Sequence, residues 1–205
     1  MVFVPSFLWF HGSICLHRCS MRQRSLLKSQ VISAWNTCIR RDYNDQRINS
    51  ERSLQASFWS HLNRLLPKNR RLFIEPAIRF QGGTGPQTLI PDIVVCNSQK
   101  IIAVIELKYT PRAAAKYQKD MRSLAAIAEN RDQVEIANDR YRGSLADART
   151  YSLAKHVMFV WGGVHALSKR VREANFAASH PCLEGCYLEL HAATRPDARP
   201  SLYYR

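Results

Sequence analysis

The chain has 205 residues, 46% hydrophobic and 22% charged, a size and composition that suit one domain, or one domain with an arm, and exclude a disordered chain. No apolar run approaches the ~20 residues of a membrane span, so no membrane partner is expected. Lys and Arg number 30 against 16 Asp and Glu, and the resulting net charge of +14 favours a polyanionic partner, nucleic acid above all.

Residues 2–10 are largely apolar (Val2, Phe3, Val4, Phe7, Leu8, Trp9, Phe10). No Lys or Arg precedes them, so the basic start of a secretory signal is missing. Met21-Arg22-Gln23-Arg24 reads like an ordinary start. Residues 1–20 are therefore expected to be a poorly ordered extension, 21–47 a basic helical region, and 48–205 the main domain. Residues 1–71 hold twelve basic side chains and three acids. Such an excess is either a solvated helix surface or a face that tracks phosphates.

Leu26, Leu27, Val31, Ile32, Trp35 and Ile39 recur at helical spacing, which predicts a helix over 25–40. Asn49-Ser50 is a capping signal followed by Leu54, Phe58, Leu62, Leu65 and Leu66. A helix over 50–66 is expected to end before Pro67. Glu51 projects from its core-facing side, with Gln55 one turn on. Residues 72–80 are β-rich, with Pro76 marking an edge or bulged strand. Residues 82–86 form a turn, 88–96 a second strand, 97–99 a turn and 100–108 a third strand. Ile93-Val94-Val95 and residues 101–105 are continuous apolar runs, the pattern of strands covered on both faces.

Thr110-Pro111 reads as a helix start, with Tyr117, Met121, Leu124 and Ala128 on one face. Residues 131–150 are polar and read as helical, broken at Gly143. Residues 156–161 form a buried strand stopped by Gly162-Gly163. Residues 164–178 read as helix and 186–191 as a last strand. The order α-β-β-β-α-β, plus a further helix and strand, predicts a single α/β domain with a central mixed sheet flanked by helices.

Six cysteines are present, and Cys15/Cys19 and Cys182/Cys186 share a C-x3-C spacing with His11, His17 and His180 nearby. A zinc site joining the chain ends is one reading. Free thiols in a reducing, cytoplasmic compartment are the default.

Charges normally avoid apolar strands, yet Asp92 interrupts one run, and Glu106 and Lys108 end the next. Period two puts Glu106 and Lys108 on one face. A hairpin turned at 97–99 brings Asp92 beside Glu106. One lysine does not balance two or three acids, whereas a hard divalent cation does. Mg²⁺ takes oxygen ligands, polarises a phosphoryl oxygen and acidifies water, with Mn²⁺ as a substitute.

Pro91-Asp92, thirteen residues, then Glu106-Leu107-Lys108 resembles the PD-(D/E)XK motif of the restriction-endonuclease-like nucleases. The resemblance covers about residues 48–162. It implies a Mg²⁺-dependent hydrolase of phosphodiester bonds, with DNA as the partner. Asp92, Glu106 and the Leu107 carbonyl would then hold the metal. Glu51 matches an acid that many members carry on the first core helix, and Lys108 would serve the attacking water. The helix with Lys116, Tyr117 and Asp120 is similar to one that often flanks the site. A homodimer would suit double-strand cutting. The rival readings are a non-catalytic nucleic-acid-binding module and a structural subunit of a defence or mobile-element complex.

Other residues carry weaker signals. Glu75 could assist Glu51, or be a solvent-facing charge on an edge strand. His61 could approach the site, though a rim histidine is the commoner role. Trp59, Tyr117 and Tyr141 could stack on bases, though core packing is commoner. No G-x-x-x-x-G-K loop is present, which argues against NTP-driven work.

Overall fold

The computed structural model describes residues 12–82, 85–142 and 145–205, with side chains over 24–82, 85–137 and 150–205. The expected extension over 1–20 lies largely outside them, as do His11 and the side chains of Cys15, His17 and Cys19. Cys38, Cys96, Cys182 and Cys186 are free thiols.

Two helices cover one face of the sheet. Helix α1 (Gly12–Thr37) continues as a wider helical turn over Cys38–Tyr43, and α2 spans Glu51–Leu65. Their apolar stripes meet where Trp35 packs edge-on against Phe58, with ring centroids 6.0 Å apart. Beneath them lie Ile93, Val95, Ile105 and Leu107.

Among the described residues the sheet has nine strands: β1 (Arg71–Ile74), β2 (Ile78–Gly82), β3 (Gly85–Leu89), β4 (Ile93–Cys96), β5 (Lys100–Thr110), β6 (Glu135–Arg142), β7 (Leu145–Ala166), β8 (Tyr187–Arg195) and β9 (Ala198–Tyr204). β1, β4 and β5 are successive antiparallel neighbours. β5 then pairs parallel to β7, β7 parallel to β8, and β8 antiparallel to β9. Helix α3 (Gln118–Glu129) makes the crossover from β5 and covers the opposite face through Met121, Leu124 and Ile127, against Val94, Val104 and Phe159. The expected α-β-β-β-α-β series is thus α2-β1-β4-β5-α3-β7, in one α/β domain with a mixed central sheet.

Several boundaries differ from expectation. The strand over 72–80 is two strands. Pro76 cannot donate to a ladder, and Glu75 beside it takes a positive φ of 49°. β2 therefore leaves the β1–β4 ladder and pairs with β3 and β6. Residues 88–96 are likewise divided between β3 and β4. The helix after β5 starts only at Gln118, because Thr110-Pro111 opens a turn closed by Ala113 N–H donating to Thr110 O (3.0 Å).

The described residues of the polar stretch 131–150 pair as antiparallel strands and are not helical: β6 pairs along the first part of β7 from Glu135↔Ser152 to Arg142↔Leu145, and the break expected at Gly143 lies outside the described residues. Gly162-Gly163 does not stop β7, which runs through to Ala166. These glycines make room instead. A Cβ at Gly163 would lie 2.1 Å from the Trp161 ring, and one at Gly162 3.0 Å from Leu107. Of the helix expected over 164–178 only α4 (Lys169–Glu173) is present, and β9 extends the sheet unannounced.

Candidate active site

Asp92 stands one residue before β4, where Ile93 pairs with Ile105, so the antiparallel register sets it opposite Glu106. Both side chains share the parity of Val94 and Val104 and face α3. The Leu107 N–H donates to Asp92 Oδ2 (2.6 Å), and the Asp92 carboxyl lies close enough to Glu106 to raise it. The backbone at Asp92 is tied twice: its carbonyl accepts from Gln55 Nε2 (2.9 Å) and from Glu75 N–H (3.0 Å). Gln55 thus locks α2 to the start of β4.

Lys108, two residues beyond Glu106, has its ammonium between two acids from different helices. Nζ lies 3.2 Å from Glu51 Oε1 and 3.7 Å from Asp120 Oδ1. Glu51 is held by its other oxygen, which accepts from Tyr109 N–H (3.3 Å). It reaches the strand because Ser50 caps α2: Ser50 Oγ accepts from Ser53 N–H (3.2 Å), and Ser53 Oγ accepts from Ser50 N–H (2.9 Å). Asp120 is buried, and its Oδ2 accepts from Trp161 Nε1 (3.1 Å).

The electrostatics follow from this crowding. Burial, then the charges of Asp92 and Asp120, push the Glu106 carboxyl well above the usual range, against the pull of Lys108. Asp92 is also raised, by burial first and by Glu51 and Asp120, although the Leu107 amide opposes the shift. Asp120 is raised by burial, with Lys108 and Trp161 opposing. Lys108 goes the other way. Burial would lower it, but Asp120 and Glu51 outweigh that and hold it protonated. The cluster holds four acids and one base, with two neighbouring carboxyls on the verge of neutrality. Among the described residues, no group of three or more His, Cys, Asp or Glu is already arranged around a metal position.

Of the other candidates, Glu75 presents only its backbone to Asp92, and its side chain is exposed. His61 is away from the cluster, with Nε2 2.8 Å from Asp42 Oδ2. Tyr117 stacks on Phe176 (3.6 Å, 6°). Trp59 packs against the α1–α2 core. The Tyr141 side chain lies outside the described residues. Asp120 and Trp161 complete the cluster, and sequence reasoning reached them least: Asp120 was placed on a flanking helix, and Trp161 only in a buried strand.

No family model matches the chain, and no curated protein does. Among solved structures, the apo form of NucC from E. coli MS115-1 is similar over 88% of this chain and 83% of that one, at 12% identity and a TM-score of 0.39. No helix among the described residues is long and apolar enough to cross a membrane.

Proposed function

We propose that the chain is a Mg²⁺-dependent nuclease that hydrolyses phosphodiester bonds in DNA. The observation that carries this reading is the facing pair Asp92 and Glu106, pushed toward neutrality beside a lysine held protonated. Two carboxyls with raised pKa are a donor set short of positive charge. Mg²⁺ suits it, because that ion accepts one or two carboxylates and keeps its remaining waters.

Asp92, Glu106 and the Leu107 carbonyl would hold the cation, with Glu51 as a further oxygen donor at the rim. A divalent cation supplies Lewis acidity toward phosphate and water. The chain's own residues do the rest. Asp92 and Glu106, both raised, would release to solvent whatever proton they carry if they held the cation. The Lys108 ammonium orients the attacking water and offsets charge that develops on the phosphoryl oxygens. Asp120 keeps that ammonium in place, itself steadied by the Trp161 indole. Two copies acting together would supply a double-strand cut from one site per chain. The Lys108–Glu51 ion pair favours one second reading, a nucleic-acid-binding module that keeps the fold without turnover.

Incubation with plasmid, linear and single-stranded DNA in Mg²⁺, Mn²⁺ or EDTA separates the two. The nuclease cuts with either metal and stops in EDTA. Glu106→Ala abolishes cutting while DNA binding in EDTA persists. Cutting by Glu106→Ala overturns the mechanism, and binding without cutting in either metal establishes the second reading.

A further inference from the structure

We propose that the opposite end of the sheet carries a second, separate site that binds a phosphate ester. It is independent of the nuclease reading. A cavity of about 270 Å³ opens between α1, the residue ahead of β1, the β4–β5 turn and the middle of β7. Its basic lining is Arg24, Arg70, Lys100, Lys155 and the imidazole of His156, and among the described residues no Asp or Glu lines it. Among the described residues, none of Arg24, Arg70, Lys100 and Lys155 forms an ion pair. Lys108 has two acids within 4 Å. The two ends of β5 therefore differ in sign, and they lie roughly 26 Å apart at about 3.3 Å per residue.

Three features distinguish this pocket from scattered lysines on a basic surface. Lys100 is held in place, with Nζ donating to Ser152 Oγ (2.6 Å). Arg24 is anchored by its guanidinium to the Gly185 carbonyl. Arg70 is half-buried, and burial alone lowers its pKa, with no carboxylate opposing the shift. A cation withdrawn from water without a counter-charge leaves a deficit that an anion fills. Several cations lining one cavity suit a phosphate dianion, whose charge-assisted bonds to guanidinium are the strong ones. Leu27 and Ile102 add apolar wall for the organic part of an ester.

The phosphate could come from a free nucleotide or from the end of a nucleic-acid strand. Calorimetry on the full chain in EDTA, with adenosine 5′-monophosphate, adenosine, and a short oligonucleotide with and without a 5′-phosphate, tests both sources. Saturable binding of the monophosphate but not adenosine is expected, competed by inorganic phosphate. Lys100→Gln and Arg70→Gln should each weaken it about tenfold or more, and Arg122→Gln, an equal charge loss on α3, should leave it unchanged. Lys155→Gln is an exposed alternative if Arg70→Gln does not fold. A gain from the oligonucleotide's 5′-phosphate assigns the site to strand ends, and binding of the mononucleotide alone assigns it to free nucleotide. Equal affinity for adenosine, or equal loss in Arg122→Gln, overturns the proposal.

Discussion

Glu106 is more stable as an acid than as an anion while no cation is present, and this has a measurable sign. Its folded pKa is raised above the ordinary 4.5, so the native state binds the extra proton between those values. Stability is then full near the unfolded pKa and falls as pH rises toward the folded one. In EDTA, thermal unfolding should show the protein losing stability from about pH 5 upward. Glu106→Gln mimics the protonated acid, so its melting point should fall less with pH than the parent's, the remaining slope coming from Asp92 and Asp120, and should exceed the parent's at pH 8. Mg²⁺ should restore the parent and not the variant. A parent curve that rises with pH contradicts the arrangement. Lys108 gives a second residue-scale test. Lys108→Met keeps the volume and leaves both carboxyls, so single-turnover cleavage should fall ~10²-fold or more with little change in fold. Lys108→Arg should rescue poorly, since a planar fork does not reproduce a compact ammonium. Normal cleavage by folded Lys108→Met would reduce the lysine to an ion-pair partner. Asp92, Glu106 and Lys108 were readable in the sequence because charge inside an apolar strand is conspicuous and period two assigns its face. Asp120 was reached only through the resemblance, on a flanking helix, because its contact with Lys108 depends on the crossover that lays α3 over β5.

At the scale of elements, α2 was readable because its start is written locally. Ser50 and Ser53 cap it reciprocally, and that cap sets where Glu51 emerges. Ser50→Ala should cost about 1 kcal/mol by thermal unfolding and lower turnover further by loosening Glu51 from Tyr109. The β6–β7 pairing was unreadable for the opposite reason. Residues 131–150 show no period of their own, and their conformation comes from pairing with β7 and β2. Gly162-Gly163 misled because glycine marks both strand ends and close approaches. Here the space is taken by the Trp161 ring, which also donates to Asp120. Gly163→Ala should therefore displace Trp161, shift its fluorescence and cost about 1–3 kcal/mol, with a drop in cleavage. An unchanged spectrum and activity would uncouple this strand from the site.

At the scale of the whole molecule, the charge excess matters only where it is not already neutralised. Arg47 lies 3.8 Å from Asp42 and 3.6 Å from Asp45, and Arg41 4.0 Å from Asp42. Arg40 and Arg52 are exposed and have no ion pair among the described residues. Arg40 lines an open groove of about 770 Å³ with Tyr43, Tyr109 and Arg199, and Tyr109 is the residue next to Lys108. Asp45 and Asp197 also line the groove, so its charge is mixed, and a strand laid in it would pass Tyr109 at the end of β5. Each phosphate contact contributes about −0.9 to the slope of log affinity against log salt. In EDTA, where nothing is cut, Arg40→Gln and Arg199→Gln should each flatten that slope by nearly one and weaken duplex binding. Arg47→Gln should do less, because its charge is partly spent on Asp42 and Asp45 and surface pairs of this kind are weak. A slope that drops equally for all three would mean that net charge alone draws the duplex, and that the groove beside Lys108 does not guide it.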